Sequence, residues 1–577
     1  MPRTVAELLI DTLEDLGVTH VFGVVGDALN PVTDAIRRSD QLTWVGCRHE
    51  EVAAYAAGAQ AQLTGRLGVC MGTVGPGSVH LLSGLFDAQK SHAPVLAIAG
   101  QVPLEELGSD FFQEVDNDAV FAPVAEFSRT VTSASQAPRM IEQAIQSAMT
   151  RPGVAVLSMP ADVGSATVED DSAVHAFWAD PPTLPGVKDL DRAARLIDEA
   201  DRVTLLVGRG ARGARADVLR LADHLGAPMV VALQAKQGFD HDNPFQIGQS
   251  GLLGNPASAH AFKHTDLLLM LGTDFPYREF LPEHATTIQL DKRAEHLGRR
   301  TKVDLGLVGH AEPTVRELLA RVRPKIDRSH LDGSVKKYES WKARQAKIAA
   351  PGFADTIAGK VLSAGDNREG RIRPEALAAT IDAQAALDAI FTSDTGMSTV
   401  WLARFVHLQE SQRLLGSYNY GSMANAMPQA IGAQLLDTHR QVIAFCGDGG
   451  LSMLLGDLLT IVSERLPVKV VVFNNGRLGM VKLEQEQAGL PEFGTELDNP
   501  NFAEVGRAIG LHGIRVEDPA GLDAAVAEAL THPGPVLLDV VTNPNEVAIP
   551  PAPTASQGFG FVTAKLKETL RSRGDDD

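Results

Sequence analysis

The sequence predicts an α/β protein built from three doubly wound parallel-sheet domains, with the first and third alike. Two observations lead there. Short runs rich in Val, Ile and Leu alternate with helical-period segments along the chain, the pattern of parallel strands covered by helices. In addition, LGVCMGTVGPGSVHLLSGLFDAQKSHAPVLAIAG and QVIAFCGDGGLSMLLGDLLTIVSERLPVKVVVFNN share one order of strand, Gly-x-Gly, helix, Pro and strand. The interval from Gly75 to Pro94 is one residue shorter than that from Gly447 to Pro467, so each unit fits one right-handed βαβ crossover.

The first domain, 1–180, carries HVFGVVG, LGVCMGTVG and PVLAIAG, each ending in Gly where a strand hands over to a loop, and the Pro-rich DPPTLPGV closes it. The second, 186–323, has VTLLVG, PMVVAL, DLLLMLG and TTIQLD as strands. Residues 324–373 are charged and poor in apolar periodicity, which predicts a linker. The third domain, 374–545, returns to alternation with AIFTSDTG, RQVIAFCGDGG and VKVVVFNNG, and 546–577 form a tail.

Composition narrows the function classes. With 577 residues the chain can build several cores, and 44% hydrophobic with 21% charged residues describes a soluble globular protein. A net charge of -20 speaks against nucleic-acid binding, because affinity for a phosphate backbone needs clustered Lys and Arg. Any phosphate must then be held through a metal or backbone amides. Three scattered cysteines, Cys47, Cys70 and Cys446, indicate neither a disulfide framework nor a zinc site and suit a reducing cytoplasm. The N-terminus reads as an amphipathic helix, and no run reaches the ~18 to 20 apolar residues of a spanning segment.

The strongest chemical signal is Gly447-Asp448-Gly449-Gly450, followed one crossover later by Asn474-Asn475. Both ends close a strand, so Asp448 and Asn475 emerge at one edge of a parallel sheet, where open α/β sheets bind ligands. A carboxylate, an amide oxygen and a loop carbonyl, that of Arg477, leave room on a magnesium ion for two phosphate oxygens and a water. Gly449 and Gly450 let the backbone approach the phosphates.

Asp-Gly after a strand is commonly only a turn, but this spacing to Asn-Asn resembles the motif of the thiamine-diphosphate-dependent enzymes. The resemblance covers nearly the whole chain and implies pyrimidine-binding, central and diphosphate-binding domains in that order. Such an enzyme needs an acid that protonates the cofactor's aminopyrimidine ring. Glu50, in RHEEVAAYAAGAQAQL, reads equally as a catalytic acid or a helix cap; family members place their glutamate in an RHE segment like this one, which implies catalysis and leaves Glu51 as the capping acid. The family's site lies between subunits, implying a homodimer or homotetramer. Met423 matches the apolar residue under the bent cofactor, within a segment where Tyr420, Gly421 and Ser422 also contact it, as do Gly479 and Met480 after the Asn-Asn loop. Phe112 and Gln113 match a segment on the substrate side in pyruvate-using relatives.

The middle domain separates the branches. Gly208 to Gly213 fits GxGxxG, yet the next strand leads into Gln234-Ala235-Lys236 without an acid for a ribose, so a nicotinamide site is rejected. Gly251-Leu252-Leu253-Gly254, Asp274-Phe275-Pro276-Tyr277-Arg278 and Asp291 resemble the FAD-binding segments of pyruvate oxidases and quinone-linked pyruvate dehydrogenases. The implied reaction is oxidative decarboxylation of pyruvate, or a similar 2-ketoacid, to acetate and CO2, with electrons passing through FAD to a quinone or another acceptor. The implied location is cytoplasmic, with peripheral contact at the inner membrane face as the alternative. Two departures matter. The chain ends in GDDD, and an acidic end is repelled by anionic lipid, so membrane contact is doubtful. GQVPLEELGSDFFQE, with Gln101, reads more like acetolactate synthases, so carboligation is the second reading and a non-catalytic cofactor-binding scaffold the third.

Overall fold

A computed structural model describes residues 3–169, 174–350, 352–353, 356, 367 and 370–545. The tail from 546, with its acidic end, lies outside the described residues.

Three parallel sheets form. The first contains β1 (His20–Gly23), β2 (Thr43–Gly46), β3 (Gly68–Gly72), β4 (Val95–Gln101), β5 (Ala125–Thr130) and β6 (Val154–Pro160), in the order 2-1-3-4-6-5. The second contains β7 (Val203–Val207), β8 (Met229–Val231), β9 (Leu267–Leu271), β10 (Thr286–Asp291) and β11 (Leu305–Val308), in the order 11-10-9-7-8. The third contains β12 (Ile390–Ser393), β13 (Arg413–Gly416), β14 (Val442–Gly447), β15 (Lys469–Asn474), β16 (His512–Val516) and β17 (Val536–Val541), in the order 13-12-14-15-17-16. Counted from its own first strand, the third sheet has the same order as the first. The repeat seen in two βαβ units therefore extends to the whole of both domains.

The central strands are apolar from end to end because helices cover both faces of each sheet. Every residue of β3, β4, β7 and β9 is buried. The first and third domains share one continuous core. Its seam is the Ala-rich helix Glu50–Thr64 packed on the helix Ala426–Leu436, with Ala53, Ala56 and Ala57 against Ala430 and Ile431. Small residues bring the two backbones together: a Cβ on Gly432 would stand 2.2 Å from the Ala56 carbonyl oxygen. Polar bonds pin the seam, from Tyr55 Oη to Ser422 Oγ at 2.6 Å and from Gln60 Nε2 to the Gly432 carbonyl at 3.1 Å.

One expectation needs correction. The segment read as a linker carries a 21-residue helix, Ser329–Ala349. Its apolar stripe is thin, and Leu331, Tyr338 and Trp341 bury it against the middle domain beside Ile247, Phe262 and Met270. Among the described residues no helix is long and apolar enough to cross a membrane.

Candidate active site

Asp448 follows β14 directly and opens the helix Asp448–Met453, while Asn475 follows β15. These strands are neighbours, with Gly447 beside Phe473, so both side chains reach the same sheet edge. The crossover between them is broken into the helices Asp448–Met453 and Leu458–Ser463 around a single turn at Leu455–Asp457, where one continuous helix was expected. A pocket of about 70 Å³ lies over the two ligand candidates, lined among others by Asp394, Gly396, Trp401, Met423 and the Gly447–Gly450 turn. Arg477, Gly479 and Met480 also reach it.

The Asp448 carboxylate is only 2% exposed. Its Oδ1 accepts from the Gly449 amide at 2.9 Å. Oδ2 accepts from the Gly476 amide at 2.7 Å and from Asn499 Nδ2 at 2.8 Å. Burial pushes the acid up to about 6 against these bonds, which marks a site that gains from a cation. Asn475 Oδ1 accepts from the Arg477 amide at 3.0 Å, and the Arg477 side chain pairs with Glu492 and Glu496. Gly450 is obligatory, since a Cβ there would stand 2.3 Å from Asp394 Oδ2. Asp394, absent from the sequence reading although it ends the strand in AIFTSDTG, accepts from the Ala426 and Gly447 amides at 2.8 and 3.1 Å. Its full burial pushes it up to about 7. The donor set and the glycine turn therefore fit a divalent cation with a diphosphate.

Glu50 opens its helix at the C-terminal edge of the first sheet, 7% exposed, and shares a 3.0 Å hydrogen bond with His80 Nδ1. The His80 ring stacks on His49 at 4.6 Å. The helix cap is His49, whose Nδ1 accepts from the Glu51 amide at 3.2 Å; the expectation that Glu51 caps it is corrected, because an imidazole two positions earlier already takes that donor. A Cβ on Gly77 would stand 3.1 Å from Glu50 Oε1, and one on Gly75 would stand 2.8 Å from the Gln113 carbonyl, so Glu50 and Gln113 flank one glycine loop. Gln113 has φ +67° and Phe112 is 79% exposed. Gln101 is buried and ties this segment by donating to the Val115 carbonyl at 2.8 Å. Within one chain the Asp448 pocket is lined only by residues from 374 onward. Glu50, Phe112 and Gln113 are not among them.

A larger cleft of about 590 Å³ opens at the C-terminal edge of the middle sheet. Leu252, Leu253, Asp274, Phe275, Pro276, Tyr277 and Asp291 line it, as do Gly421 and Met480 of the third domain. Gly251, Gly254, Arg278, Tyr420 and Ser422 stand outside its lining. Gly251, at φ +77°, gives the turn its shape, and a Cβ there would meet Tyr277 at 3.0 Å. Tyr420 stacks on Phe86 at 5.6 Å. Gly208 and Gly210 both line the cleft and pack closely on Gly272, since a Cβ on either would strike it. Between them Arg209 also lines it, its guanidinium held down to about 10 by burial and by Arg293 nearby. Arg293 and His92 line the same cleft.

Residues 3–120, 190–318 and 394–540 match, in turn, the N-terminal TPP binding, central and C-terminal TPP binding domains described for thiamine pyrophosphate enzymes. The chain belongs to the thiamine pyrophosphate enzyme family. A Bacillus subtilis (strain 168) protein, YdaP, named for the thiamine pyrophosphate it contains, is 37% identical over 99% of this chain and 97% of its own. A pyruvate oxidase of Lactiplantibacillus plantarum is 31% identical over 92% of this chain and 87% of its own. An acetolactate synthase of Mycobacterium bovis is 33% identical over 93% and 88%. The three sheets, the repeated strand order and the Asp448 turn are thus those of a thiamine pyrophosphate enzyme, and the two named reactions stand at similar distance.

Proposed function

We propose that the chain is a pyruvate-oxidase-like enzyme, using thiamine diphosphate, Mg2+ and FAD to convert pyruvate, or a similar 2-ketoacid, to acetate and CO2, with electrons passed to a quinone or another acceptor. The observation that carries this reading is that the large cleft and the Asp448 pocket share Thr395, Gly396 and Met480. A dinucleotide in the first would end beside a thiamine cofactor in the second. The cleft has the size that a dinucleotide needs, and Arg209 and Arg293 line it as cations for a diphosphate.

When bound, thiamine diphosphate supplies an acidic carbon that adds to a 2-keto group, and FAD supplies a two-electron acceptor. Asp448, Asn475 and the Arg477 carbonyl would hold the cation, while Gly449 and Gly450 admit the phosphates. Met423, which lines the Asp448 pocket, would support the thiamine cofactor, and Asp291 and Asp274, which line the large cleft, would hold the nucleotide. Glu50 would hold a proton at the aminopyrimidine nitrogen, and Gln113 would orient the substrate carboxylate. Because the Asp448 pocket of one chain is lined only by residues from 374 onward, Glu50 would come to it from a second copy, in a homodimer or homotetramer. The exposure of Phe112, Val25 at 56% and Met453 at 59% suits burial in such an assembly.

Acetolactate-forming carboligation is the second reading, favoured by the identity to an acetolactate synthase. The holoenzyme, mixed anaerobically with pyruvate, separates the two. Bleaching of the flavin with acetate formation supports oxidation, and an oxidised flavin with acetolactate accumulating overturns it.

A further inference from the structure

Behind Asp448 runs a chain of hydrogen bonds that the cofactor chemistry does not itself require. Asp539, on β17 and 0% exposed, accepts from the Phe502 amide at 3.1 Å and from Arg515 Nη1 at 2.6 Å on Oδ2, and from Asn474 Nδ2 at 2.9 Å on Oδ1. A carboxylate only accepts, so the Asn474 amide is turned with its nitrogen toward Asp539. Its oxygen then faces Asn499 and accepts from Asn499 Nδ2 at 3.1 Å. The same Asn499 nitrogen donates to Asp448 Oδ2 at 2.8 Å. Arg515, Asp539, Asn474, Asn499 and Asp448 thus form one relay in which each amide has its orientation set by the group behind it.

A carboxylate offers about four lone-pair directions, two on each oxygen. Three of Asp448's are occupied: Oδ2 by Gly476 and Asn499, and Oδ1 by Gly449. One direction remains, on Oδ1. We infer that Asn499 is a positioning residue that makes Asp448 a one-oxygen ligand and thereby selects Mg2+ over Ca2+. Mg2+ takes single oxygens in a tight octahedron, whereas Ca2+ is larger, takes six to eight oxygens and readily uses both oxygens of one carboxylate. With Oδ2 held by two donors, the second mode is closed. This also gives the first asparagine of the Asn474-Asn475 pair a task, that of aiming Asn499, while the second faces the pocket.

The inference rests on Asp448 as a cation ligand, and the experiment keeps the two apart. Trp401 lines the Asp448 pocket, so its fluorescence can follow cofactor binding independently of turnover. Apoprotein with thiamine diphosphate in excess is titrated with Mg2+ and separately with Ca2+, for the unaltered chain and for Asn499→Leu, Asn499→Ser and Asp448→Ala. The unaltered chain half-saturates at much lower Mg2+ than Ca2+. Asn499→Leu frees one direction on Oδ2, the Gly476 amide keeping the other, and narrows that ratio about tenfold, the scale of one hydrogen bond to a charged group. Asn499→Ser, which keeps a hydroxyl donor, falls between and serves if the leucine variant does not fold. An unchanged ratio in the folded Asn499 variants, with Asp448→Ala abolishing cation dependence, overturns the role of Asn499 alone. Cation dependence that survives in Asp448→Ala overturns the ligand reading itself.

Discussion

Replacing Gly432 by Ala tests the seam that joins the first and third domains. The added Cβ would stand 2.2 Å from the Ala56 carbonyl oxygen and 2.8 Å from both its carbonyl carbon and its Cα. All three are backbone atoms of the helix Glu50–Thr64, so no side chain can swing aside. Restoring ordinary contact at about 3.3 Å requires the two helices to part by roughly 1 Å, a gap that forfeits a quarter to a half of each dispersion contact along the seam. Overpacking of this kind costs about 1–3 kcal/mol, and a rigid backbone obstacle puts it at the upper end. Because the first and third domains share one core, thermal unfolding of the cofactor-free protein should therefore shift down by roughly 3–5 °C. Gly333 offers the contrast: it lies inside the helix Ser329–Ala349 with nothing within 4 Å of an added Cβ. Gly333→Ala should hold or slightly raise the unfolding temperature, because alanine is better than glycine within a helix by about 0.5–1 kcal/mol. A Gly432→Ala protein that unfolds within 1 °C of the unaltered chain would refute the claim that this close approach holds the seam.

Three further outcomes follow from the site. Asp448→Ala should lose thiamine diphosphate and Mg2+ together, read by equilibrium dialysis, and retention of both would contradict its role. Glu50→Gln should reduce turnover by at least about a hundredfold, the scale of general acid catalysis, while largely sparing cofactor affinity; near-normal turnover would refute it. Asp87 is fully buried at the seam, accepts from Gln429 Nε2 at 3.1 Å and is pushed up to about 7 by burial. An acid raised in this way destabilises the fold fully above about pH 7, and the penalty fades as pH falls from about 7 toward the ordinary value of 3.8. Asp87→Asn should accordingly stabilise the protein more at pH 8 than at pH 5, by roughly 2–3 kcal/mol. Equal gains at both values, by denaturant unfolding, would show that the carboxyl is not held neutral.

How much of this was legible depends on whether the signal is local. β14 and β15 are apolar runs buried on both faces, and Asp448 and Asn475 follow them at once, so strand, turn and ligand pair could be read together. The likeness of the first and third domains was visible in one βαβ unit each and held for the whole sheets. Interactions between residues far apart were hidden. Nothing near Asn499 announces that it reaches Asp448 across the loop from Asn474, and His80 lies thirty positions from the Glu50 it contacts. The helix Ser329–Ala349 escaped because only a few apolar residues face its partner, with charges all around them. In GRGARG the glycines stand out in the sequence, while Arg209 between them lines the cleft as well.

The central claim is that the middle-domain cleft holds a flavin that takes the electrons of decarboxylation. Its most direct measurement is an anaerobic flavin spectrum of the reconstituted holoenzyme during addition of pyruvate, with acetate and acetolactate assayed in the same sample. The account predicts stoichiometric bleaching with one acetate per flavin and recovery of the oxidised spectrum when a quinone is added. A flavin that stays oxidised while acetolactate accumulates, or a cleft that takes up no flavin at all, would contradict it.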